Sequence, residues 1–118
     1  MTDLIQAVRR ALTEVADPEK APIMQAYMKS ALPFLGVQAG PRRAVLRKVF
    51  AAHPLRSAAE WRQAVLELWR RAEYREEWYA AIELSGVRAY RGWQTPETVP
   101  MYEEMIVTGA WWDVVDEV

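Results

Sequence analysis

The stretch Ser57-Ala58-Ala59-Glu60-Trp61-Arg62-Gln63-Ala64-Val65-Leu66-Glu67-Leu68-Trp69-Arg70 decides the fold class. Ser57 and Glu60 stand three apart ahead of an apolar run, the reciprocal capping pattern of a helix N-terminus. Trp61, Val65, Leu68 and Trp69 then fall on one face of an α-helix. The same period extends in both directions. Upstream, Leu4, Ile5, Val8, Leu12 and Val15 form one stripe. Asp17-Pro18 reads as the N-cap and first proline of a second helix carrying Ile23, Met24, Tyr27, Met28, Ala31 and Leu32. Pro33, Gly36, Gly40 and Pro41 break the chain into a longer connection. A third helix, from about Pro41, places Val45, Leu46, Val49 and Phe50 inward and stops at Pro54. Downstream, a fifth helix is expected from about Glu73 to Tyr90, with Trp78, Ile82 and Ala89 inward. Thr95-Pro96 opens a sixth, carrying Tyr102, Met105 and Ile106 and closing at Gly109; Trp111 starts a seventh. No segment alternates at period two, so no sheet is expected.

Short helices with one apolar stripe each, joined by short turns, pair antiparallel. Here a pair recurs about every 35–40 residues, the range of HEAT-like helical repeats. The expected fold is therefore all-α, a HEAT-like solenoid of stacked helix pairs. No exact internal repeat is present, so a helical bundle is the alternative. The final run Trp111-Trp112-Asp113-Val114-Val115-Asp116-Glu117-Val118 is helical in pattern and apolar, with no stop signal. On that ground residues 1–118 are expected to be the N-terminal part of a longer repeat domain, truncated or proteolysed. Such an end, left uncovered, is expected to pair with a second copy of itself.

Composition narrows the chemistry. Of the 118 residues 52% are hydrophobic and 26% charged, as in a folded globular protein. With no cysteine there is no disulfide, no thiolate metal site and no thiol nucleophile, which fits a cytoplasmic protein. No apolar run approaches the roughly 20 residues of a membrane span. The net charge of −1 hides an asymmetry: residues 42–91 hold eleven basic and six acidic groups, residues 92–118 six acidic and no basic ones. A basic surface can sit behind a neutral total, although charged helix faces are commonly no more than solvated.

Two constellations stand out. Trp112 and Asp116 lie one helical turn apart. An aromatic face beside a carboxylate suits the positive charge that develops on a sugar as a glycosidic bond breaks. The bland alternative is core packing for the tryptophans and surface charge for Asp113 and Asp116. The second is Phe34-Leu35-Gly36-Val37-Gln38-Ala39-Gly40-Pro41-Arg42-Arg43, where glycines, helix-start amides and two arginines could receive a phosphate. An ordinary inter-helix loop is the alternative. The lone His53 has no neighbouring ligand set, so a metal site is not expected.

Tyr27-Met28-Lys29, Phe34-Leu35-Gly36-Val37-Gln38 with Pro41-Arg42-Arg43, Glu67-Leu68-Trp69 and Trp111-Trp112-Asp113-Val114-Val115-Asp116 together resemble the N-terminal half of AlkD-type DNA alkylation repair glycosylases. The resemblance implies a concave, basic surface for duplex DNA and removal of cationic N3- and N7-alkylated purines, without a metal or organic cofactor and without flipping the base. It implies that Trp112 contacts the deoxyribose of the lesion and that Asp116 stabilises the oxocarbenium character and positions water. Tyr27 and Gln38 are then placed near the DNA. The family's second half supplies a further tryptophan and an arginine to the cleft, so residues 1–118 alone are not expected to catalyse well. The alternatives are a non-catalytic helical-repeat module that binds DNA or protein, and a paralogue that has kept the fold and lost excision.

Overall fold

The computed structural model describes residues 2–28 and 32–109. Among them the only regular structure is helical, with no strand: α1 (Thr2–Glu14), α2 (Lys20–Met28), α3 (Ala39–Ala52), α4 (Ala58–Arg70), α5 (Arg75–Ser85), two 3₁₀ stretches (Arg88–Trp93 and Pro96–Thr98) and α6 (Val99–Gly109). The chain folds as an all-α helical-repeat protein of packed helix pairs. The expected seventh helix, with Trp111, Trp112 and Asp116, lies outside the described residues.

The α4–α5 pair sets the core. Ser57 caps α4 by accepting from the Glu60 amide at 3.1 Å. Trp61 is fully buried and donates its indole N–H to the Leu84 carbonyl at 3.0 Å. Trp69 stacks on Trp78 at 4.6 Å between ring centroids. The start of α4 thus meets the end of α5, and the end of α4 meets the start of α5, so the two run antiparallel. Leu4, Ile5, Val8 and Leu12 of α1 are buried with Leu46 and Phe50 of α3. α1 packs on α3 and also reaches α4 and α5. Burying side chains of this size stabilises by about 1.5–3 kcal/mol each before entropy is counted.

The first turn of α5 is unusual in being charged and buried. Arg75, Glu76 and Glu77 are each no more than 1% exposed. Glu77 accepts from the amides of Glu73 (2.6 Å) and Tyr74 (2.9 Å), closing the N-terminus of α5, and pairs with Arg9 of α1. Carboxylates are favoured there by the helix dipole and by the unpaired amides of the first turn.

Three expectations are corrected. The fifth helix does not reach Tyr90: it stops at Gly86, and a 3₁₀ stretch follows, held by Tyr90 stacking on Trp93 at 4.8 Å and accepting from the Leu55 amide at 2.8 Å. Ala89 is consequently exposed, not inward. In α2, Ala21 and Met24 pack on the core, while Ile23 and Tyr27 are exposed at 69% and 85%. α3 begins at Ala39, ahead of Pro41, because a proline in the first turn loses no helical hydrogen bond.

Candidate functional site

A cleft of about 820 Å³ runs between α3 and the end of α5. Arg43 and Arg47 flank it from α3, one turn apart, and Arg88 from the 3₁₀ stretch; Phe50, Ile82 and Val87 contribute apolar wall. All three arginines are exposed, and among the described residues none is in a salt bridge. Among the described residues Glu83 is the single carboxylate on the wall, and it is engaged by Arg42. Three uncompensated guanidinium groups over an apolar floor suit a phosphodiester strand, whose charge and sugar faces alternate.

Arg42 sits differently from its neighbour. It is 4% exposed; its Nε donates to Glu83 Oε1 at 2.9 Å and its guanidinium lies 4.6 Å from the centre of the Tyr79 ring. Successive residues on a helix point about 100° apart, so one of the two arginines faces α5 when the other faces outward. Of the two arginines expected on the nucleic-acid side, Arg43 is exposed, while Arg42 is buried and joins α3 to α5.

The Phe34–Gln38 loop is held from α5. The amides of Leu35, Gly36 and Val37 donate to the Glu76 carboxylate at 2.9, 3.0 and 3.0 Å. They are therefore occupied and do not await a phosphate. Gly36 has φ +88°, and a Cβ there would stand 2.0 Å from the Asp17 carbonyl oxygen, so glycine is required by both conformation and space. Gln38 follows as the exposed N-cap of α3, and its side chain makes no capping bond. The first amides of α3, Ala39 and Gly40, have no partner inside the helix, and apart from its chain neighbours and its own helix backbone no atom of the described residues lies within 4 Å of where a Gly40 Cβ would stand. Gln38 and Arg43 thus share an open helix end, while the exposed Tyr27 lies on α2. Trp112 and Asp116 lie outside the described residues.

The model of one family, described as DNA alkylation repair enzyme, matches residues 8–118. The chain belongs to this family. No curated protein matches it. The match to the DNA alkylation repair family includes the Trp111–Asp116 run as well as every helix from the middle of α1 onward. Arg47 and Arg88 were not singled out from sequence. The i,i+4 spacing of Arg43 and Arg47 was available there. The place of Arg88 was not, because it depends on α5 ending at Gly86. Among the described residues no helix is long and apolar enough to cross a membrane, and no cluster of three or more acidic or histidine side chains could hold a metal ion. His53 terminates α3, its amide donating to the Val49 carbonyl at 3.0 Å.

Proposed function

We propose that the protein is a DNA glycosylase that excises cationic N3- or N7-alkylated purines from duplex DNA. The observation that carries this reading is the family match over residues 8–118, which takes in Trp112 and Asp116. The cleft supports it by offering three exposed arginines on one side of the molecule. In this reading one strand of the duplex runs over the N-terminal end of α3. Gln38 and Arg43 meet its phosphates, Arg47 and Arg88 continue the contact, and Tyr27 reaches the DNA from α2.

The chemistry asks little of a general acid. An alkylated N7 or N3 already carries the positive charge that makes the base a good leaving group. As the glycosidic bond stretches, charge moves to the sugar, and a carboxylate there lowers the barrier. Asp116 has that role and orients the attacking water; the Trp112 face packs on the deoxyribose and attracts its polarised C–H groups. Products are the free base and an abasic site.

Incubating the protein with a duplex containing 7-methylguanine, and separating the free base chromatographically, tests the proposal. Enzyme-dependent release above the spontaneous rate supports it. Duplex binding with no release would favour the non-catalytic repeat module instead.

A further inference from the structure

Glu76 is a fully buried carboxylate that the proposed reaction does not use. Taking an ionised carboxylate out of water costs several kcal/mol unless donors replace the water. Here three consecutive backbone amides, Leu35, Gly36 and Val37, converge on its two oxygens. Three successive N–H groups closing on one anion form a nest, the backbone geometry that elsewhere receives a phosphate. Glu76 is also in the first turn of α5, where the dipole favours a negative charge.

The consequence lies in what the nest holds still. The neighbouring Arg75 amide donates to the Pro33 carbonyl at 2.9 Å, and the Leu35 carbonyl accepts from the Asp17 amide at 3.0 Å. Residues 33–37 are thus gripped from α5 on one side and from the turn before α2 on the other. The next residue is Gln38, at the open head of α3, and Arg43 follows just over one turn later. We propose that Glu76 is a positioning residue for DNA: by filling the nest it fixes the loop that aims Gln38 at a phosphate. This inference rests on the DNA-binding reading above.

The test is a double-mutant cycle on duplex affinity, read by fluorescence anisotropy on variants shown to be folded by circular dichroism. Glu76→Gln keeps the shape but turns an amide NH₂ toward backbone donors. It should weaken binding roughly five- to tenfold, and Gln38→Ala should cost much less in that background than in the wild type, because coupled residues are non-additive. Glu76→Asp, which keeps the anion, should recover part of the loss and serves in place of Glu76→Gln if that variant does not fold. A purely structural role would lower Tm and leave the two effects additive. A second measurement needs only the wild type: on adding duplex, the amide resonances of Gln38 should shift while those of 35–37 do not. Additive effects, or shifts centred on 35–37, overturn the role of Glu76. A wild type that binds no duplex overturns the functional reading itself, a result separable from either of these.

Discussion

Arg42 and Arg43 are adjacent in sequence, and replacing each with alanine should give opposite results. Arg43 is exposed and free of salt bridges among the described residues, so Arg43→Ala should change stability by no more than about 0.5 kcal/mol. It should instead remove one phosphate contact. Each such contact contributes about 0.9 to the slope of log K against log salt, so the slope should flatten by about that amount, and by about 2–3 when Arg47 and Arg88 are also replaced. Arg42 has a side chain only 5% exposed and pairs with Glu83, itself 19% exposed. Breaking a buried pair costs about 3–5 kcal/mol. The partial exposure of Glu83, and an Arg42 Nη2 that has no hydrogen-bond partner among the described residues, reduce this to about 2–3 kcal/mol. That corresponds to a fall in Tm of roughly 8–12 °C for a domain of this size. Thermal melts and salt-dependent anisotropy on both variants decide the matter. The reasoning is refuted if Arg42→Ala flattens the salt slope without loss of Tm, or if Arg43→Ala destabilises and leaves the slope unaltered.

Gly36→Ala should lower stability by about 3 kcal/mol, the sum of a left-handed backbone penalty and a clash with Asp17; a Tm within 2–3 °C of wild type, on the scale of about 0.5 kcal/mol, would contradict this. Arg70 donates to Glu104 through two nitrogens, and that hydrogen bonding holds the Glu104 carboxyl below its ordinary value of 4.5. The stabilisation is present above that value and is lost as pH falls through the lowered one. The wild type should therefore exceed Glu104→Gln in Tm at neutral pH and converge with it in acid; a constant gap would count against the pairing. Ile106 and Val107 on α6 are exposed at 40% and 74%, so residues 1–118 should self-associate weakly in a concentration-dependent way. Sedimentation velocity showing a monomer at every concentration would refute this.

Much of the fold was legible because it follows from local chemistry. The stripes of α1 and α4 and the Ser57–Glu60 cap depend only on spacing and on residue type, and both helices pack as expected. The end of α5 was not legible. Gly86 lies inside a run that keeps helical spacing, and what ends the helix is Tyr90 finding Trp93 and the Leu55 amide, a choice made by tertiary contacts. The candidate site divides in the same way. The exposed places of Gln38 and Arg43 follow from a loop-to-helix junction readable in the chain. The burial of Arg42 follows from Glu83, 41 residues away, and the filling of the nest from Glu76, some 40 residues away. Neither partner is marked by any local pattern.

The central claim is that Asp116 stabilises a sugar losing a cationic base. Single-turnover release of 7-methylguanine from duplex DNA, by the wild-type protein and by Asp116→Asn side by side, tests it most directly. We expect the variant to bind the duplex within a few-fold of the wild type and to release base about 10²–10³ times more slowly. Equal rates of release from the two proteins would contradict the claim.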